Sequence, residues 1–155
     1  MIKLFLLLII IANLSWANSK SRPNGISGDY LLELNAGVTF EDEEDVFEFG
    51  IDLERFIDGT HHHFSYGLAT EAEFKDESTE YFFGPLISAY YFHFKIFITS
   101  GILTDFDGED FWRTRVGAGY EFVWKRGWII IPTFALDYIE DEINPAVVIG
   151  LAHEF

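Results

Sequence analysis

"AVVIGLAHEF" spans Ala146 to Phe155. Val147, Ile149 and Leu151 take every second position, Ala146, Val148, Gly150 and Ala152 fill the places between, and Phe155 follows. In an extended chain successive side chains point to opposite faces, so a period of two marks a β-strand. Terminal residues fray unless something ties them down. A stretch this regular and this apolar predicts a final strand held in a sheet by a neighbour, and the question is which neighbour.

Reading outward, the same period recurs seven times. Tyr30, Leu32, Leu34, Ala36, Val38 and Phe40 face away from Glu33, Asn35, Gly37 and Thr39. Phe47, Phe49, Ile51 and Leu53 oppose Glu48, Gly50, Asp52 and Glu54. Phe64, Tyr66, Leu68, Thr70, Ala72 and Phe74 oppose Ser65, Gly67, Ala69, Glu71 and Glu73. A fourth strand sets Tyr81, Phe83, Ile87 and Ala89 against Gly84 and Ser88, and a fifth carries Phe94, Ile96, Ile98 and Ile102 on one face. The sixth sets Trp112, Val116, Ala118, Tyr120, Phe122 and Trp124 against Arg113, Arg115, Gly117, Gly119 and Glu121. The seventh sets Trp128, Ile130, Phe134, Leu136 and Tyr138 against Thr133, Ala135 and Asp137. Strands of about ten residues suffice to cross a bilayer at a tilt of about 45°.

The connections alternate in character. Glu41 to Asp45, Lys75 to Thr79, Thr104 to Asp110 and Ile139 to Pro145 are acidic; Asp58-Gly59-Thr60, the region around His93, and Lys125-Arg126-Gly127 are short or basic. Two kinds of turn at opposite ends predict an up-and-down meander, and the neighbour of the last strand is then the first. Pro85 and Pro132 fall inside strands. Neither has an N–H to give the ladder, so a bulge, a strand end or a shifted register is expected near each.

The chain has 155 residues, the size of one domain. It has no cysteine, which excludes disulfides and thiolate metal sites. Its formal charge of −16 argues against a nucleic-acid partner. Lys3, the apolar run Leu4 to Ala12 and the small residues of Ser15-Trp16-Ala17 form a signal peptide, residues 1–17. The run is too short to span a bilayer as a permanent helix. Residues 18–28 are a polar periplasmic lead-in, and 29–155 form the strand region.

Alternation alone does not say which face meets water, since a soluble lipocalin-like periplasmic binding barrel has the same period. Three features put the apolar face outward, against lipid. The polar face is rich in Gly, Ser, Ala and Thr, which suit a cramped lumen. Trp112, Trp124, Trp128, Tyr81, Tyr91 and Tyr138 lie near strand ends, as interfacial girdles do. Charges are missing from the middle of the apolar face, the depth at which lipid penalises them most. The expected fold is an all-β, eight-stranded antiparallel up-and-down transmembrane β-barrel.

The signal peptide, the eight alternating strands and the terminal Phe155 together resemble the small bacterial outer-membrane β-barrels of the OmpA/OmpX-like type, over essentially the whole mature chain. The resemblance implies export to the outer membrane, with both termini periplasmic and the acidic loops outside. It implies contact with outer-membrane lipids and lipopolysaccharide. Val147, Ile149, Leu151 and Phe155 are similar to the C-terminal signal read by the outer-membrane assembly machinery, and His153 departs from the apolar or aromatic residue usual at its place.

The inward polar set comprises Glu33, Glu48, Asp52, Glu54, Glu71, Glu73, Arg113, Arg115, Glu121 and Asp137. Desolvated charges need partners. Arg113 and Arg115 are therefore expected to pair with Glu33, Asp52, Glu71 or Asp137 across the lumen, as a structural plug or as the gate of a narrow path. His61-His62-His63 invites a metal reading, but adjacent strand residues point apart, so at most His61 and His63 could share an ion, and no metal site is expected there. Gly117-Ala118-Gly119 has no following helix, which excludes a dinucleotide loop. Ser65, Ser88 and Ser100 have no His at the depth a lipid A-modifying enzyme would need.

The acidic rim consists of Asp42, Glu43, Glu44 and Asp45 in one loop and Asp105, Asp107, Glu109 and Asp110 in another. It could hold divalent cations loosely; no other cofactor is expected. The leading expectation is a non-enzymatic surface protein with a structural or partner-binding role, its extracellular partner unspecified. A narrow pore and a lipid A-modifying enzyme are the alternatives.

Overall fold

The computed structural model describes residues 28–41, 45–57, 63–75, 78–105, 110–125 and 127–155. The signal peptide, nearly all of the lead-in, and the rim residues Asp42, Glu43, Glu44, Asp107 and Glu109 lie outside the described residues, as do His61 and His62. The strands are β1 (Tyr30–Phe40), β2 (Asp45–Phe56), β3 (Phe64–Phe74), β4 (Thr79–Tyr91), β5 (Phe94–Thr104), β6 (Asp110–Tyr120), β7 (Phe122–Lys125), β8 (Trp128–Ile139) and β9 (Glu142–Glu154). All neighbours pair antiparallel, and β1 pairs with both β2 and β9, so the sheet is closed. β6 and β7 are two parts of one stave. Gly119↔Thr133 and Phe122↔Ile130 keep a single register against β8, which makes eight staves in all.

The closing seam answers the question raised by the last ten residues. Val147 stands opposite Val38, Ile149 opposite Ala36 and Leu151 opposite Leu34. Beyond the ladder, Tyr30 and Phe155 exchange backbone hydrogen bonds of 3.1 Å in both directions, and their rings stack at 5.8 Å. Closure leaves no strand edge to template aggregation.

Exposure follows the period. In β2 every residue alternates, from exposed Asp45 and buried Val46 through to buried Phe56. Phe47, Phe49, Ile51 and Leu53 stand outside; Glu48, Asp52 and Glu54 stand inside. The barrel is thus apolar without and charged within, the reverse of a water-soluble domain. Trp112 and Tyr138 mark the outer wall near one end, and Trp124, Trp128 and Tyr30 near the other.

The two prolines leave gaps without slippage. Around Pro85 the β4–β5 ladder lapses between Phe83↔Ile102 and Leu86↔Thr99 and resumes in the same register. Thr99 Oγ1 donates to the Pro85 carbonyl at 2.9 Å, so that edge of Pro85, with its missing N–H, faces β5. Gly84 and Gly101 fill the gap; a Cβ on Gly101 would run into the Phe83 carbonyl oxygen. Pro132 does the same to the long stave. Its carbonyl faces Gly119, and the break between β6 and β7 falls opposite Pro132 and Ile131. The β7–β8 ladder shifts register elsewhere, between Val123 and Lys125.

The Ile139–Pro145 connection is shorter than expected. Only Glu140 and Asp141 form the turn, both with positive φ (49° and 86°), as a two-residue hairpin of the primed type requires, and β9 already begins at Glu142.

Candidate functional site

The lumen is the built site of this molecule. The connections after β1, β3, β5 and β8 belong to the acidic-loop end; those after β2, β4 and β7 belong to the short-turn end, together with Gly28 and Phe155. Two layers of charge lie between these ends.

The layer nearer the acidic loops is built on two arginines of β6. Arg115 Nε and Nη2 donate to Asp137 at 2.6 Å each, and Nη1 and Nη2 donate to Glu48 at 3.0 and 2.5 Å. Its Nη1 also lies 3.0 Å from Glu71. Two carboxylates are thus held by the guanidinium fork, the geometry in which Arg is strongest. Thr39 Oγ1 donates to Glu48 at 3.0 Å. Arg113 pairs with Glu71 and Glu73 and lies over the Phe82 ring, 4.0 Å from its centroid. Arg113 is wholly buried.

The second layer turns on one lysine. Lys95 Nζ lies 2.6 Å from Glu33 and 2.7 Å from Glu54. Tyr90 Oη donates to Glu54 at 2.9 Å, and Ser65 Oγ also donates to it. Between the layers Asn35 Nδ2 donates to Asp52 at 3.2 Å.

Apolar side chains plug both ends. Leu31, Phe56, Tyr90, Ile129, Ile131 and Ala152 cluster at the short-turn end. Ala69, Phe82, Leu86 and Leu103, with Phe97, Phe111 and Ile139, form a cluster on the other side. Several of them, among them Phe82, Leu86, Ile129 and Ile131, come from runs of β4 and β8 that are apolar on both faces, so the sequence pattern alone did not assign these to the interior. The cavity between the layers has a volume of about 20 Å³. A larger hollow of about 260 Å³ opens at the acidic-loop end beside Glu41, Lys75, Glu80, Glu140 and Glu142.

Of the four acids named as alternatives for the arginines, the structure brings two to them and places two elsewhere. Glu71 and Asp137 meet them. Glu33 and Asp52 do not: they lie toward the short-turn end, where Glu33 goes to Lys95 and Asp52 to Asn35. Lys95 was missed altogether. Its signal was available, since it alternates with Phe94 and Ile96 and must face inward as they face out.

Of the rim residues, Asp45 and Asp110 begin β2 and β6 and are exposed, while Asp105 follows β5. Lys75, outside the strands, lies 3.3 Å from Glu41 and 3.2 Å from Glu80. Partial burial pulls its ammonium down, but the two carboxylates outweigh that and hold its pKa above the ordinary 10.5.

The described histidines serve the short-turn end. His63 Nδ1 donates to the Tyr90 carbonyl and His93 Nδ1 to that of Glu121, each at 3.1 Å; His153 packs edge-on to Trp128. Among the described residues one trio of acids, Glu48, Glu71 and Glu73, brings oxygens within 4.8 Å of one another, but Arg113 and Arg115 already bridge it.

No protein-family model and no curated protein matches this sequence. Solved structures do. The chain is similar to Neisserial surface protein A (NspA), with TM-score 0.59 and 11% identity over 85% of this chain and 100% of that one. It is similar to the N-terminal β-barrel domain of Pseudomonas aeruginosa OprF, with TM-score 0.57 and 11% identity over 83% and 100%. It also resembles a de novo designed transmembrane β-barrel, with TM-score 0.56 and 10% identity over 88% and 100%. The fold is that of the small eight-stranded outer-membrane barrels.

Proposed function

We propose that this chain is a non-conducting, non-enzymatic outer-membrane barrel that presents its acidic loop end to the exterior. One observation carries the reading: the lumen is occupied by two ion-pair layers and two apolar plugs, and the space left between the layers is about 20 Å³. That is room for about one water. Among the described residues, this packing leaves a hydrated ion no continuous path between the layers.

The outer wall supports the membrane setting. Its exposed Phe, Ile, Leu and Trp side chains form a band around the barrel far beyond the few hundred Å² a soluble monomer leaves apolar. The leader, residues 1–17, would direct export, and the terminal Val147, Ile149, Leu151 and Phe155 would serve assembly. Two of the three serines singled out in the sequence have hydroxyls engaged in ways that do not suit hydrolysis. Ser65 donates to Glu54, while Ser100 shares a hydrogen bond with Thr114 and accepts one from Trp112 on the outer wall. The loop end, rich in Asp and Glu, suits a cationic partner or divalent ions bridging to lipopolysaccharide phosphates.

Two measurements test this. Fractionation should place the protein in the outer membrane, with heat-modifiable gel migration. Purified barrel in planar bilayers should give no conductance steps. Regular steps that vanish on Arg115→Ala would replace this reading with that of a narrow pore.

A further inference from the structure

The lumen carries more acid than base. Lys95, Arg113 and Arg115 are the cations buried among the described residues, and seven buried carboxylates bond to them or to the neighbouring Asn35. Formal charge in excess, held within a low-dielectric wall, is expensive unless something compensates it.

Asp52 marks where compensation is missing. It is 8% exposed, and its Oδ2 accepts from Asn35. Its Oδ1 is buried with no hydrogen-bond partner. A carboxylate oxygen so placed ordinarily has a donor or a cation beside it. Asp52 lines the 20 Å³ cavity together with Glu33, Asn35, Glu71, Lys95 and Arg115. The room is kept by a missing side chain: a Cβ on Gly50 would collide with Asn35 Oδ1 and lie 2.8 Å from Glu71 Cγ.

We propose that this chamber binds one small monovalent cation, sodium or an ion of its size, with the Asp52 carboxylate as its principal ligand and oxygens of Glu33 and Asn35 alongside. Size sets the first limit, because the space takes one water-sized guest. Charge sets the second. The lining sets the carboxylates of Glu33, Asp52 and Glu71 against Lys95 and Arg115, an excess of one negative charge that a monovalent ion cancels and a divalent ion overshoots. Magnesium keeps several waters and calcium wants six to eight oxygens, and neither fits the volume. The trio of Glu48, Glu71 and Glu73 is excluded because the arginines already fill it.

The inference needs the closed lumen but not the surface role, and conductance reports on the lumen independently. The test uses the whole folded barrel in detergent. Its unfolding midpoint is followed in sodium chloride and in N-methyl-D-glucamine chloride at equal ionic strength, the second cation being too large to enter. Sodium should raise the midpoint above the bulky cation. Once the site is near saturation, tenfold more sodium should raise the folded-to-unfolded ratio by up to about tenfold. Asp52→Asn should abolish the difference. Sodium-23 relaxation on the unaltered protein, competed with potassium, is independent of whether that variant folds, and should show a saturable bound population. Equal midpoints in the two salts, a sodium effect that survives Asp52→Asn, or the absence of a bound sodium signal each overturns the proposal; equal midpoints would leave protons as the compensating charge.

Discussion

The two charged layers of the lumen solve the same problem with different cations. In the arginine layer one planar guanidinium holds Glu48 and Asp137 through paired hydrogen bonds, and Glu71 is shared between Arg113 and Arg115. In the lysine layer a single ammonium meets Glu33 and Glu54, and neutral hydroxyls from Tyr90 and Ser65 make up the remaining donors. The difference teaches how much acid one buried cation can carry. A five-donor fork organises a layer almost alone, whereas a point charge needs neutral help.

The largest expected effects come from removing those cations. Arg115→Met strips Glu48 and Asp137 of the guanidinium that holds them both and should cost about 5 kcal/mol, the upper end for a broken buried pair. Lys95→Met should cost about 3 kcal/mol, because Glu54 keeps its hydroxyl donors while Glu33 is left bare. Urea unfolding of the refolded barrel, read by heat-modifiable migration, ranks the two. A Lys95→Met cost equal to or above that of Arg115→Met would break the comparison.

The helpers sharpen it at a smaller scale. Tyr90→Phe keeps the ring against Phe56, 5.4 Å away, and deletes only the hydroxyl that serves Glu54. A lost hydrogen bond to a buried charge should cost about 1.5 kcal/mol. Thr39→Val removes the corresponding hydroxyl from Glu48, which Arg115 still holds twice, and should cost about 0.5 kcal/mol. Equal costs in the same unfolding assay would mean that both layers lean on neutral donors alike.

The barrel was legible in the sequence and its wiring was not, for one physical reason. Period-two alternation assigns every residue to a face from its neighbours alone, so the outward set from Tyr30 to Phe155 and the inward acids could be read directly. Which acid meets which base depends on stagger between strands that are distant in the chain, as Arg115 and Glu48 are, and alternation carries no stagger. The same limit hid the apolar plugs. Phe82, Leu86, Ile129 and Ile131 sit in runs apolar on both faces, where the period is silent. Lys95 is a different failure: its face was determined, and it was passed over among the isoleucines of its strand.

The smallest effect lies outside the wall, and it separates the buried layers from ordinary surface pairing. Lys75 bridges Glu41 and Glu80 near the acidic loops, partly open to solvent. Exposed ion pairs contribute within about 1 kcal/mol, so Lys75→Met should shift the unfolding midpoint only slightly. Its pH dependence has a definite sign. The ammonium is held above its ordinary 10.5, so the folded state binds this proton more tightly than the unfolded chain does. The contribution is complete below 10.5 and disappears as pH rises through the higher folded value. The gap between wild type and Lys75→Met should therefore stay constant from neutral pH to about 10 and close in stronger alkali. A gap that closes well below 10 would show that the ammonium is solvated and that Glu41 and Glu80 do not hold it.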